Sequence, residues 1–327
     1  MKAALYREFG AAQDVLAIEE IDKPEPGPGE VLVQVHASGV NPSDVKKRAG
    51  AFPDLLDNGF IIPNSDGAGV IQEVGDGIDK SRIGDRVWLY EGQHQRRFGT
   101  AARFISIDAR RAHKIPDEVD FATAACLGIP AMTAHRCVFA DGEISEQSVL
   151  VTGAAGRVGH YAVQWASSEG ARVIATASNE DDELACRDAG AKRVVNHRDE
   201  DFANAVLHAN DGQPVDRVID LEFGANLDTS VEVLRTGGTI ATYGSARVPE
   251  PVLPFYKLMY KDLTARFVIV YSMPESAKDH AVADIQRALR KGRLQHRIAK
   301  TFALEDIAEA NDLVAAGKVR GAIILEP

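Results

Sequence analysis

Cysteine is scarce in this chain: three of 327 residues, namely Cys126, Cys137 and Cys186. An odd, scattered set makes no disulfide framework and fits a reducing, cytoplasmic setting. All three lie in apolar or helical surroundings and read as packing residues rather than nucleophiles. No run of about 18 apolar residues is present, so no membrane-spanning helix is expected. The opening MKAALYREFG lacks the apolar core of a secretion signal. Positive charge is in deficit, with 37 Lys and Arg against 48 Asp and Glu and a net charge of −11. A nucleic acid or an anionic membrane would repel such a chain, so neither is expected as a partner. Low-complexity segments and short repeats are also missing. What remains is 45% hydrophobic and 26% charged, an ordinary globular composition in a chain long enough for two cores.

Three stretches differ in period. Up to about residue 120 the pattern is β-rich. Val31–Ala37, Ala68–Gly75 and Gly84–Leu89 alternate or run apolar between Gly and Pro punctuation, the pattern of a compact barrel-like domain. The middle stretch alternates short apolar strands with helical segments of about ten residues, which indicates a parallel sheet covered by helices. Its strands are expected at 149–152, 172–177, 193–195, 217–220 and 239–243, and its helices at 158–169, 180–189 and 226–235. From about residue 264 a strand at 266–271, helices at 275–291 and 305–316, and a final strand at 322–325 are expected. Such a tail has little core of its own and should return to the first domain. The expected architecture is α/β, with a β-rich domain of residues 1–121 and 264–327 and a doubly wound Rossmann domain of residues 122–263.

Gly153-Ala154-Ala155-Gly156-Arg157-Val158-Gly159 stands between an expected strand and an expected helix. Small residues there let the backbone approach a pyrophosphate, and the helix N-terminus offers N–H donors to the anion. The strand–turn–helix context, repeated downstream, makes this a dinucleotide site rather than a plain glycine turn. An NAD site has an acid at the end of the second strand, about 20 residues on, for the ribose hydroxyls. Here that place reads Ala177-Ser178-Asn179. Without the carboxylate, Ser178, Asn179, His197 and Arg198 are candidates to accept a 2′-phosphate, and NADPH is the expected cofactor. Glu180, Asp181 and Asp182 follow, at a first helical turn that favours acids in any case.

The chain resembles the zeta-crystallin-type quinone oxidoreductases of the medium-chain dehydrogenase/reductase superfamily. The resemblance is carried by His36-Ala37-Ser38-Gly39-Val40-Asn41-Pro42-Ser43-Asp44, by Asn64 to Ile71, by Gly84-Asp85-Arg86-Val87, by Ala125 to Ala134, by the glycine loop and by Val195 to Asp199. It implies a GroES-like catalytic domain plus the Rossmann domain, and NADPH-dependent reduction of quinones or related conjugated carbonyls by a homodimer. It also implies roles for single residues. Asn41 falls on the nicotinamide side, and Ala155, Gly156, Arg157 and Val158, together with Gly159, belong to the phosphate loop. Ser178 and His197 fall on the 2′-phosphate and Asn226 after the fourth strand. Tyr243, Gly244 and Ser245 fall after the fifth strand, and Val268, Ile269 and Val270 beside the carboxamide. Where relatives often carry a tyrosine after Asn41, this sequence has Lys46, with Phe52 nearby. The polar segment 91–100 is a candidate for the mouth of the substrate cleft.

No metal is expected. The place where zinc relatives carry Gly-His-Glu reads Ser65-Asp66-Gly67, no cysteine precedes Cys126, and His36, His94 and His113 lack ligand partners at useful spacing. A quinone or enone accepts hydride without a metal, since the cofactor carries the chemistry and the protein orients and shields it. Asn41 and Lys46 are the candidate donors to the developing oxyanion. Two other functions remain open: a double-bond reductase of α,β-unsaturated carbonyls, and a nucleotide-regulated RNA-binding or structural protein. The acidic charge and the absence of an aromatic RNA-stacking pattern weigh against the last.

Overall fold

Successive side chains on a strand point to opposite faces. In the strand Glu30–Val40, Val31, Val33 and Val35 are all buried and pack with Ile71, Val87 and Ile105. Burying a side chain of this size stabilises the fold by roughly 1.5–3 kcal/mol. The computed structural model describes residues 1–327, in two compact units: Met1–Ile129 with Val282–Pro327, and Pro130–Ala281.

The strand Glu30–Val40 is the spine of the first unit. It pairs antiparallel with Asp66–Val74 over most of its length and with Phe104–Asp108 at its start. Its end pairs with Ala322–Glu326, so the C-terminal strand does return to the first unit. A second core joins Ala3, Leu5, Val40 and Ile62 to Phe302, Ile323 and Leu325. Pro42–Arg48 follows the spine as a short helix, with Pro at its first position where the missing N–H costs nothing.

The second unit is built on a six-stranded parallel sheet. Its order is Arg193–Asn196, Arg172–Ala177, Ser148–Val151, Val215–Asp220, Leu234–Thr242 and Thr264–Phe267. Strand order reverses between Ser148–Val151 and Val215–Asp220, and the carboxyl ends of strands at such a reversal form a ligand crevice. The expected boundary at 263/264 moves. Thr264–Phe267 pairs with Leu234–Thr242 and completes this sheet instead of beginning the return. The strand expected at 266–271 stops at Phe267, because Val270–Ser272 turns into a 3-10 helix.

Candidate active site

The glycine loop lies where the sequence places it, between Ser148–Val151 and the helix Arg157–Ser168. Gly153 has φ +57°, the left-handed region that suits glycine. A Cβ on Gly159 would lie 2.3 Å from the Gly153 carbonyl oxygen, so helix and loop touch only because that position is bare. The Gly156 N–H donates to the Gly153 oxygen at 2.8 Å, which closes the turn. Two hydroxyls outside the motif brace it. Thr176 Oγ1 accepts from the Gly153 N–H at 3.0 Å, and Thr152 Oγ1 donates to Asp220 Oδ1 at 2.5 Å. The same Asp220 oxygen accepts from Asn226 Nδ2 at 2.8 Å, and the Leu221 N–H donates to Thr152 Oγ1 at 3.1 Å. Asp220 is fully buried, and burial pushes its carboxyl pKa up against the pull of these donors. A hydroxyl before a glycine loop and an acid at the end of the fourth strand, Val215–Asp220, were the available sequence signals for this clamp.

Ala177 and Asn196 are register partners in adjacent parallel strands, so Ser178 and His197 leave the sheet at the same end. His197 and Arg198 are exposed and Ser178 is half-buried. Asn179 is committed elsewhere. Its Oδ1 accepts from the Asp182 N–H and its Nδ2 donates to Asp182 Oδ2, both at 2.9 Å. It therefore caps the helix Glu180–Asp188, a role Asn fills well, and the expectation that it holds phosphate gives way to that one.

At the other end of the crevice a cavity of about 450 Å³ is lined by Phe223, Tyr243, Ser245, Leu253, Phe267 and Ile269, among others. Gly244 and Val268 also line it. Three expected segments therefore meet here. The Phe223 N–H donates to the Gly244 carbonyl at 2.9 Å, and the Val268 N–H to the Thr242 carbonyl at 2.8 Å. Ser245 Oγ accepts from the Gly224 N–H at 2.9 Å. Val270 is not part of this lining; it is buried at 1% exposure. Phe223 and Phe267, which sequence reasoning missed, meet edge to face with centroids 5.2 Å apart. The room is therefore apolar and aromatic with a polar rim, suited to a flat ring.

In the first unit, Asn41 is buried and held at two points. Its N–H donates to Asp44 Oδ2 at 2.8 Å and its Nδ2 to Asp66 Oδ2 at 2.7 Å. Asp66 Oδ1 accepts from the Ile129 N–H at 2.9 Å. Lys46, the other candidate donor, is exposed, whereas Lys47 is buried. One residue of helix turns a side chain by about 100°, and here that separates solvent from interior. Lys47 Nζ donates to the Gln93 carbonyl and lies 3.5 Å from Ser65 Oγ. Burial pushes its pKa down, while Asp44, Asp66 and Glu91 oppose the shift. The segment 91–100 is likewise more internal than expected: Glu91, Gly92, Gln93, Gly99 and Thr100 are buried and only Gln95 is exposed. Its backbone is tied to the chain at 62–65 through Gly92 N–H to the Ser65 oxygen (2.8 Å) and Gly99 N–H to the Ile62 oxygen (2.9 Å). Of the histidines set aside as ligands, His36 stacks on Phe121 and His113 on Tyr90.

Residues 27–117 match the family model described as the alcohol dehydrogenase GroES-like domain, and residues 158–287 the one described as zinc-binding dehydrogenase. With the doubly wound sheet, these matches define an oxidoreductase of the medium-chain dehydrogenase/reductase class. The quinone oxidoreductase of Homo sapiens is 30% identical over 320 residues, spanning 97% of this chain and 94% of that protein. The chain belongs to the quinone oxidoreductase family. The 2-haloacrylate reductase of a Burkholderia species is 29% identical over 340 residues, 100% of this chain and 99% of that one. A mycobacterial protein solved in complex with NADPH superposes with a TM-score of 0.88 at 28% identity, with 100% of both chains covered.

The zinc in the second model's description does not fit the residues present at Ser65-Asp66-Gly67. Ser65 and Asp66 supply no thiolate or imidazole, both Asp66 oxygens already accept protein N–H groups, and an ammonium group stands beside Ser65. Zinc sites are built from Cys, His and carboxylate ligands around an open cation position.

Proposed function

We propose that the protein reduces quinones with NADPH, without a catalytic metal. The observation that carries this reading is the end of the second strand, where Ser178 replaces an acid beside His197 and Arg198. The bare Gly159 contact and the N-terminus of the helix Arg157–Ser168 form the cradle that the pyrophosphate requires. NADPH, when bound, supplies the hydride. The chain's own residues orient it: the loop holds the phosphates, the Asp220–Asn226 pair braces that loop through Thr152, and the cavity at the strand ends offers an apolar, aromatic face to a flat ring. Asn41, fixed by Asp44 and Asp66, is the first unit's amide donor for developing charge on the acceptor oxygen in this reading. Initial rates with NADPH and NADH against benzoquinone, naphthoquinone and a simple enone test the reading. NADPH-dependent turnover of quinones is expected; preference for NADH would overturn the assignment of the 2′-phosphate site.

A second acceptor class, α,β-unsaturated carbonyls and acids, has one specific observation in its favour: the full-length likeness to a 2-haloacrylate reductase. The enone in the same assay decides between them. The protein acts as a homodimer in the cytoplasm in this reading. Thr264–Phe267 ends the sheet with one edge unpaired, and its last residue, Phe267, is exposed. No helix is long and apolar enough to cross a membrane.

A further inference from the structure

We infer that the Lys47 ammonium is a built-in cation standing at the segment where zinc relatives carry their metal ligands, and that it positions Asn41 and the 91–95 segment for substrate reduction. The inference rests on the reading of Asn41 given above. Lys47 is 5% exposed. A buried ammonium carries a heavy desolvation penalty, and an aliphatic side chain of the same volume is usually no less stable. Its presence there therefore asks for a reason beyond packing.

The surroundings supply one. Three carboxylates act on Lys47: Asp44 from its own helix, Asp66 from the neighbouring strand and Glu91 from the polar segment. Each has a separate duty. Asp44 caps the Asn41 N–H, Asp66 ties the Asn41 amide to the Ile129 N–H, and Glu91 pairs with Arg111 at 3.1 Å. Lys47 is the positive charge common to all three. Remove it and the acids repel one another across a buried space, where the screening that water provides is weak. Asp66 must then take up a proton or move, and either event loosens the grip on Asn41 Nδ2.

Lys47 also donates to the Gln93 carbonyl, in a stretch where Glu91 has φ +58° and Gln95 φ +55°. Non-glycine residues in the left-handed region persist only where the surroundings over-determine them. Gln93 Nε2 closes this stretch on the Arg96 carbonyl at 2.7 Å. One ammonium thus joins the Asn41 clamp to the strained segment. Lys47 is a positioning residue in this account; it acts through Asn41 and the segment.

Lys47→Ala, Lys47→Met and Lys47→Arg, with methylammonium chloride as the probe, test this. In Lys47→Ala, methylammonium should raise the Tm, while the same concentration of sodium chloride should not, and the native Tm should stay put. That arm needs no activity, so it stands even if quinone turnover fails and the proposed function with it. Lys47→Met should lower kcat for naphthoquinone at least tenfold while the KM for NADPH stays within twofold. Lys47→Arg should recover part of the loss, and methylammonium should restore turnover to Lys47→Ala along a saturating curve. Native turnover in Lys47→Met, a methylammonium effect on Tm with none on kcat, or a parallel shift in the KM for NADPH would each overturn the positioning role. One equivalent of zinc in the purified native protein would overturn the built-in cation itself.

Discussion

Asp220 shows how one side chain can join two loops. Its Oδ1 receives Thr152 from before the glycine loop and Asn226 from the following helix, while Oδ2 has no hydrogen-bond partner in the protein. Burial raises its pKa above the ordinary 3.8. A group whose pKa is raised by folding helps the fold most when protonated, and that contribution is lost as pH climbs through the folded value. Asp220→Asn keeps a carbonyl acceptor and removes the ionisation. The variant should therefore gain stability relative to the native enzyme as pH rises above the ordinary carboxyl value and through the raised one. Thermal unfolding of both proteins across that range measures it; a pH-independent difference in Tm would remove the carboxyl from the account. The clamp was only half legible in the sequence. Asn226 came from the resemblance, but nothing in the local pattern says that Thr152 and Asp220 meet, because they are 68 positions apart and only the strand order brings them together. Lys46 and Lys47 make the same point at a finer grain: the helix Pro42–Arg48 was not read from periodicity, so its inward lysine was not distinguishable from its outward one.

Elements with a strong period were legible to within a few residues. The strand Arg172–Ala177 and the helices Arg157–Ser168 and Glu275–Arg290 lie where the pattern of apolar residues puts them. The pieces that escaped are short or weakly periodic: the hairpin Lys2–Leu5 with Ala17–Glu20, the helix Phe202–Ala209 and the helix Phe255–Tyr260. Tertiary contacts, not local pattern, decide these. At the junction of loop and helix, Gly159→Ala forces a methyl to within 2.3 Å of the Gly153 oxygen and 2.8 Å of the Ala154 Cα. The loop must open, and NADPH binding should weaken by at least tenfold, about 1.4 kcal/mol. Fluorescence titration with NADPH reads this, and unchanged affinity would mean that the phosphates lie elsewhere. At the far strand ends, Ser178→Asp restores the acid of an NAD site. A carboxylate facing a 2′-phosphate costs several kcal/mol of like-charge repulsion, so the ratio of kcat/KM for NADPH over NADH should fall by about a hundredfold or more. A ratio that stays put would separate Ser178, and the strand end with it, from the cofactor choice.

On the scale of the molecule, the exposed apolar side chains of the second unit are unevenly spread. Val252 is 93% exposed, Tyr260 76% and Phe267 67%, with Phe255 and Tyr256 also exposed between them. Leu253, Phe267 and Ile269 line one cavity, so the segment before the helix Phe255–Tyr260 and the edge strand share a surface. A net charge of −11 opposes nonspecific association, yet concentrated apolar exposure marks an interaction face, and an unpaired edge strand is a template for pairing. A two-fold axis satisfies both with the same patch, since such an interface is self-complementary. Phe267→Glu would place a charge at the centre of that contact without a partner. An uncompensated buried charge costs about 3 kcal/mol or more, which is upwards of a hundredfold in the dimer dissociation constant. Light scattering after size exclusion should show the native chain at twice the monomer mass and the variant dissociating at micromolar concentration, with its fold intact by circular dichroism. A native monomer, or a variant that stays dimeric, would refute the edge-strand dimer and leave this face to cover something other than its own copy.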